Sequence, residues 1–316
     1  MRFRKIIAVI AAAALGVSLC GCTSPEKSEI SGKLKVIATI FPAYDFARQV
    51  FGDTADVKML LKPGQESHSY DPSAKDIVEI SGCDLFVYNG GESDQWVESV
   101  LKSAPEVETF RMTDAVSLLD EEVTEGMQNA GEHDHDEKEH EDEYDEHVWT
   151  SPDNASAIVK ALGKRAAELF PENADSVTAN ADSYAGKINE LDAKFEELLS
   201  GEERYFIFGD RFPLLYFFRH YGLNYYAAFP GCGSETEPSA QTMTFLLDKL
   251  RQPDSVPAVF CIELSSRRLG EVLAEDSGLP VVEFHTCHNI SADDLAAGET
   301  YVSLMERNYE VLSDIL

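Results

Sequence analysis

The stretch that decides the fold is Pro171 to Gly201, which reads PENADSVTANADSYAGKINELDAKFEELLSG. Its apolar residues recur at spacings of 4, 3, 4, 3, 4 and 3, which places them along one face of a helix. The members of this stripe are Val177, Ala181, Tyr184, Ile188, Leu191, Phe195 and Leu198. Proline suits the first turn of a helix and glycine its end, so we predict one helix of roughly 45 Å over 171–201. A coiled coil has the same spacing, but within an α/β chain the pattern favours a strut between two lobes.

On both sides of this helix, short runs rich in β-branched and aromatic residues alternate with helical ones. The predicted strands are Lys35–Ile40, Val57–Leu61, Asp84–Asn89, Tyr205–Phe208, Tyr225–Phe229, Ala258–Ile262 and Val281–Phe284. The predicted helices are Tyr44–Phe51, Ser73–Ile80, Asp94–Lys102, Arg211–Tyr221, Ala240–Arg251 and Arg267–Glu275. Such alternation predicts parallel sheets covered by helices. We expect an α/β fold of two lobes, each a mostly parallel sheet flanked by helices, joined by one long backbone helix. The expected boundaries are 33–170 for the first lobe, 171–201 for the helix and 202–316 for the second lobe.

The composition narrows the class of partner. The chain has 316 residues, with 26 basic and 57 acidic side chains, which gives a formal net charge of −31. Such a charge repels nucleic acid and anionic membranes and attracts cations.

Six cysteines in a chain of this length do not make a disulfide-dense scaffold, and sequence alone cannot decide how Cys83, Cys232, Cys261 and Cys287 would pair.

The first residues indicate export. Basic residues precede an apolar run, Ile6 to Leu19, which is too short to span a bilayer permanently. The run ends in Gly21-Cys22, which resembles a bacterial lipobox, so we expect residues 1–22 to be a lipoprotein signal peptide with Cys22 as the lipidated residue. An ordinary signal peptide that is cut nearby is the alternative. Residues 23–32 read as a tether, which would hold the protein on the outer face of the bacterial cytoplasmic membrane.

A second unusual segment is residues 120–146, which contain fourteen acidic residues and one lysine. Such a composition favours a solvated loop without structure of its own. The loop also contains His133, His135 and His140. Imidazoles interleaved with carboxylates bind borderline divalent metals, so we expect weak accessory metal sites here. An acidic loop with incidental histidines is the plainer interpretation.

A tight metal site needs ligands on rigid supports, and three histidines occupy such places. His68 lies in a turn that leaves a predicted strand, His147 lies just before a helix that begins near Pro152, and His285 directly follows the last predicted strand. Loops at the carboxyl ends of parallel strands face the crevice of an α/β lobe. His288, three residues further on, is ambiguous from sequence alone.

These features together carry a family resemblance. The lipobox cysteine, the Pro63-Gly…His68-Ser-Tyr-Asp-Pro72 turn, the acidic histidine-rich loop, the Glu146-His147-Val-Trp turn and the long strut are similar to the cluster A-I metal-binding lipoproteins. These are ZnuA/TroA-like solute-binding proteins of zinc or manganese ABC transporters. The resemblance spans the mature chain and implies one metal between two lobes, with His68 and His147 as ligands from the first lobe.

The second lobe departs from the family pattern. The family's third ligand usually follows the strand that matches Tyr205–Phe208, where this chain has Gly209-Asp210, and the family's final acid is replaced by His285. We therefore expect His285 to supply nitrogen and Asp210 to supply oxygen, with Glu263 as the alternative carboxylate. A cysteine ligand, Cys232 or Cys287, is less favoured outside the cell. Three imidazoles with one carboxylate favour Zn2+ over Mn2+.

The resemblance implies a solute-binding protein, not an enzyme. It would act as a monomer that captures zinc and passes it to an ABC permease, and ATP would be used by a partner because the sequence has no Walker A motif. One alternative is an exported zinc hydrolase with Glu263 as general base, although no His-Glu-x-x-His or Gly-x-Ser-x-Gly motif is present. Another is a surface adhesin stabilised by metal.

Overall fold

The computed structural model describes residues 32–128, 144–231 and 237–316. In its first half, four strands form one parallel sheet in the order β2-β1-β3-β4. They are β1 (Leu34–Ala38), β2 (Ala55–Met59), β3 (Leu85–Tyr88) and β4 (Thr109–Arg111). A second parallel sheet in the other half has the order β6-β5-β7-β8. Its strands are β5 (Tyr205–Phe212), β6 (Asn224–Pro230), β7 (Ser255–Ile262) and β8 (Val281–Phe284). The predicted α/β class with two parallel sheets is confirmed.

Ten helices accompany these strands in the part of the chain just defined. They are α1 (Phe41–Phe51), α2 (Ala74–Ser81), α3 (Gln95–Ser103), α4 (Pro152–Leu169), α5 (Ala174–Leu199), α6 (Leu215–Tyr221), α7 (Ala240–Leu250), α8 (Arg268–Ser277), α9 (Ala292–Ala297) and α10 (Tyr301–Ile315). None of the described helices is both long and apolar enough to cross a membrane.

The predicted long helix is present as α5, preceded by a 3₁₀ turn over Pro171–Asn173. All but one member of its apolar stripe is buried, the exception being the half-buried Leu198. The stripe belongs to a core that continues into both sheets, through Val36 of β1 and Phe206 of β5. Residues 33–316 therefore form one compact unit, and the predicted boundaries at 170 and 201 stay a prediction.

Five parts of the fold differ from expectation. The short β4 and the helices α9 and α10 were not predicted. β5 continues to Phe212, where a helix was expected from Arg211, because a register shift after Phe208 lets the strand resume pairing with β6. The segment expected to be an unstructured loop, 120–146, is structured at its described ends: Asp120 forms an isolated bridge with Tyr144.

Because α4 and α5 pack closely, the same substitution at two glycines should have opposite effects on the free energy of unfolding. A Cβ on Gly163 would overlap the Cβ of Ala181, whereas a Cβ on Gly186 would point into open space. Glycine to alanine in an open helical position raises the free energy of unfolding by up to about 1 kcal/mol, and overpacking lowers it by about 1–3 kcal/mol. We expect Gly163→Ala to destabilise and Gly186→Ala to stabilise the protein, measured by urea unfolding. A stabilising Gly163→Ala would show that the two helices separate without cost.

Candidate metal centre

The loops that carry His68, His147 and His285 line one cavity of about 180 Å³. Residues 60–73 follow β2 and residues 285–291 follow β8, so both loops leave the carboxyl ends of parallel strands. His147 immediately precedes a 3₁₀ turn, Val148–Thr150, that leads into α4. The cavity is therefore lined by side chains from loops that follow strands of both sheets.

Three imidazoles converge in this cavity: those of His68, His147 and His288. One potential ligand atom from each lies within 4.8 Å of the other two. The ring centroids are 6.4 Å apart for His68 and His147, 5.9 Å for His68 and His288, and 5.2 Å for His147 and His288. In their neutral form, three such imidazoles are a suitable donor set for a borderline divalent cation.

His147 is fully buried and oriented by a carboxylate. Asp145 Oδ1 lies 3.0 Å from His147 Nδ1 and also accepts a 2.8 Å hydrogen bond from the backbone N–H of His147. The other ring nitrogen, Nε2, has no hydrogen-bond partner among the described residues. Burial alone would lower the pKa of His147. The charge and hydrogen bond of Asp145 outweigh this effect, so the pKa lies above its ordinary value. The geometry leaves Nε2 available to bind a metal.

The next residue, Glu146, places a carboxylate near His68 without a hydrogen bond to its ring. Glu146 Oε1 lies 3.7 Å from His68 Nδ1, while Oε2 accepts 3.0 Å hydrogen bonds from the backbone N–H and the hydroxyl of Ser93. A side chain at Gly91 would collide with the Glu146 side chain. Burial lowers the pKa of His68, and the Glu146 charge opposes this only in part. His68 is therefore neutral, as a metal ligand must be, at neutral pH.

His288 comes from the other half of the molecule. Its Nε2 lies 2.8 Å from the hydroxyl of Ser67, beside His68. Burial and the charges of the two neighbouring histidines lower the pKa of His288 well below its ordinary value. The backbone N–H of Gly64 donates to Ile290 O at 3.1 Å, so the loops carrying His68 and His288 are tied together.

The structure does not bring His285 into this group. The His285 ring nitrogen Nδ1 accepts a 2.9 Å hydrogen bond from the backbone N–H of Cys287, and the backbone N–H of His285 donates to Asn308 Oδ1 at 2.7 Å. Cys287 has a φ of 59°, in the left-handed region. This turn lets His288, three residues later, line the cavity that His285 does not line.

Asp210 also lies outside the histidine cavity and instead lines a separate one. Its carboxylate accepts hydrogen bonds from the backbone N–H groups of Arg211 at 2.9 Å and Ile262 at 3.2 Å. Burial raises the pKa of Asp210. The register shift between Phe208 and Arg211 reorients this part of β5, so that Arg211 lines the histidine cavity.

Glu263 does line the histidine cavity, but its carboxylate already has protein donors. Oε2 accepts a 2.7 Å hydrogen bond from the backbone N–H of Thr286, and Oε1 accepts a 2.6 Å hydrogen bond from the Thr286 hydroxyl. Glu263 is not among the residues whose ligand atoms lie together in the histidine group. Glu263 therefore forms part of the cavity wall, where its carboxylate is held by hydrogen bonds from Thr286.

The remaining predicted residues divide into two sets. Cys83, Cys261 and Cys287 are free thiols, and burial raises the pKa of each. Cys22, Cys232, His133, His135 and His140 lie outside the described residues.

Sequence reasoning missed the roles of Asp145 and Glu146. Both belong to the acidic segment 120–146, yet they are only 2% and 1% exposed. The signal that could have separated them from the rest of the segment is their position directly before His147 and the apolar Val148-Trp149 pair.

Comparisons with known proteins agree with this fold and show its family. A family model named ZnuA, described as "Zinc-uptake complex component A periplasmic", matches residues 36–315. The zinc-binding lipoprotein AdcA of Streptococcus pneumoniae R6 is 30% identical over 310 residues, which cover 98% of this chain and 60% of AdcA. This chain thus spans about 60% of the length of that relative. The high-affinity zinc uptake system protein ZnuA of Bacillus subtilis is 30% identical over 320 residues, 98% of this chain and 96% of that protein.

Solved structures show the same architecture. The Zn(II)-bound ZnuA-like domain of S. pneumoniae AdcA superposes with a TM-score of 0.74 at 28% identity, covering 90% of this chain and 99% of that one. The metal-dependent lipoprotein YcdH of B. subtilis superposes with a TM-score of 0.75 at 26% identity, covering 90% of this chain and 100% of that one.

Proposed function

The chain belongs to the ZnuA family of zinc-uptake components, and on that premise we propose that it captures zinc outside the cytoplasmic membrane and delivers it to the permease of an ABC importer. The main support for this proposal is the convergence of three histidines, His68, His147 and His288, whose potential ligand atoms lie within 4.8 Å of one another. Three nitrogen donors favour zinc over manganese, which prefers oxygen.

Two adjacent carboxylates support this assignment. Asp145 and Glu146 each lie near the Nδ1 atom of one histidine, at 3.0 Å and 3.7 Å. A carboxylate hydrogen-bonded to the ring, as Asp145 is to His147, fixes the orientation of a metal-binding imidazole and raises its basicity. In this proposal His285 and Asp210 are structural residues, and Glu263 is a wall of the cavity.

The placement of the ligands suggests how zinc is released. His68 and His147 come from the first half of the chain and His288 from the second. Separation of the two loops would leave only two imidazoles on the ion. We propose that docking on the permease parts the loops and so lowers the affinity, without any chemical change to the protein or the metal.

The location follows from the sequence expectations. A lipid on Cys22 would hold a monomer on the outer face of the membrane, where the histidines of the acidic segment would raise the local concentration of zinc. Incorporation of labelled fatty acid into the protein, lost in Cys22→Ala, tests the anchor.

The function is tested by zinc titration against a competing chelator, using the full-length protein and a variant that lacks 129–143. That deletion spares Asp145 and Glu146. We expect one tight site in both proteins and the loss of weaker sites in the deletion variant. The zinc-loaded protein should not hydrolyse a generic ester, and chelator-sensitive turnover would favour the hydrolase instead. Absence of a tight site in both proteins would contradict zinc capture.

The acidity of the site gives a further prediction. Zinc must displace the proton of His147, whose pKa is raised by Asp145. Because only the neutral imidazole binds, affinity should fall by up to about tenfold per pH unit below the pKa of His147. Asp145→Asn should weaken binding at pH 8 by about 10–100-fold and move this fall to lower pH. Unchanged affinity between pH 8 and pH 6 in chelator competition would contradict the assignment of His147.

A further inference from the structure

The three imidazoles leave one zinc coordination position to be filled, because zinc generally takes four ligands. Neither nearby carboxylate belongs to the group of converging ligand atoms. Both oxygens of Glu263 accept from Thr286. Glu146 Oε2 accepts from Ser93, while Oε1 has no hydrogen-bond partner among the described residues and lies 3.7 Å from His68 Nδ1. Asp210 lines a different cavity. The described residues of the cavity therefore supply three converging donors, which leaves the fourth position open in this geometry.

The cavity has room for more than an ion and one water. Its volume is about 180 Å³, whereas a water molecule takes about 30 Å³ in the liquid. A group of several non-hydrogen atoms fits beside a metal ion in this space.

One wall of the cavity is cationic, which capture of a cation does not require. The Arg211 side chain lines the cavity and is only 16% exposed. Its Nε atom is buried without a hydrogen-bond partner among the described residues. Its Nη2 atom lies 3.4 Å from Glu66 Oε2, but that partner side chain is 47% exposed. Arg211 therefore presents a charge and an unused donor beside the three histidines.

We propose that zinc is held together with a small carboxylate-type anion, such as acetate or bicarbonate. One oxygen of the anion fills the fourth coordination position, and its remaining charge is paired with the Arg211 guanidinium, which suits a planar two-oxygen group. The substrate of the site is then a metal–anion pair. The inference rests on the proposed function, since it needs a metal ion on the three histidines.

The test uses the full-length protein loaded with one equivalent of Co2+, whose visible d–d absorption reports coordination. Sodium acetate is titrated at constant ionic strength and pH 7.5 in a non-coordinating buffer. We expect a saturable spectral change in the wild type. Arg211→Gln should still bind one equivalent of Co2+ but should need at least about tenfold more acetate, because a charge-assisted hydrogen bond is lost. Arg211→Lys should fall between them.

Several results would overturn the inference. The first is a wild-type spectrum that acetate does not change, and the second is equal acetate dependence in Arg211→Gln. A third is a spectrum that responds to acetate only in Glu263→Gln, which would show that Glu263 fills the fourth position. Co2+ binding that survives unchanged in His147→Ala would instead contradict the proposed function, so the two failures are distinguishable.

Discussion

Replacement of His288 by alanine is expected to weaken zinc binding by at least about 100-fold. The variant loses one of three converging imidazoles, and the effect should equal or exceed the 10–100-fold loss typical of residues that only orient a ligand. His288 is half-buried beside Trp149 and Ser67, and its removal leaves His68 and His147 as the remaining pair. The measurement is competition with a chelator of known affinity at pH 7.5.

The matched control is His285→Gln, three residues away. His285 is buried behind Glu263 and accepts a hydrogen bond from the backbone of Cys287, a contact that the glutamine side-chain oxygen can replace. We expect its zinc affinity to stay within a few-fold of the wild type. A large loss in His285→Gln with little effect of His288→Ala would reverse the assignment of the second-half ligand.

Replacement of Trp149 by alanine is expected to lower the free energy of unfolding by about 3–5 kcal/mol, the usual cost of removing a buried aromatic ring. Trp149 has no exposed surface, and its Nε1–H donates a 2.9 Å hydrogen bond to Thr286 O. Its ring also contacts His147 and His288, with centroid distances of 5.5 Å and 5.1 Å. The variant should bind zinc more weakly as well, because it removes the surface against which two ligands pack. Urea unfolding followed by circular dichroism measures the stability.

The second tryptophan provides a control for the hydrogen bond. Trp96 is half-buried, and its Nε1 has no hydrogen-bond partner among the described residues. Trp149→Phe leaves Thr286 O without its donor, whereas Trp96→Phe breaks no such bond. We expect Trp149→Phe to cost about 1–3 kcal/mol more than Trp96→Phe. Equal costs would show that the bond to Thr286 contributes little.

Elements with strong local periodicity were predictable from sequence. The apolar stripe of α5 and the alternation of short apolar runs with helical ones identify two parallel sheets and the helix between them. The end of β5 was not predictable, because its continuation through Asp210 depends on a register shift against β6 that sequence does not encode locally. The three-residue β4 is too short to show a period.

Of the histidines predicted as ligands, the structure brings His68 and His147 together and leaves His285 outside their cavity. His68 and His147 lie in turns next to regular elements, where local sequence limits their direction. The choice between His285 and His288 depends on the left-handed conformation of Cys287, a single backbone angle. Cysteine does not favour that conformation, so no sequence signal indicates it.

The most direct test of the account is a crystal structure of the zinc-loaded protein, with an anomalous difference map at the zinc edge. We expect one strong peak about 2.0–2.1 Å from a ring nitrogen of each of His68, His147 and His288. A peak bound by His285 or Asp210, or one that lacks any of the three imidazoles, would contradict it.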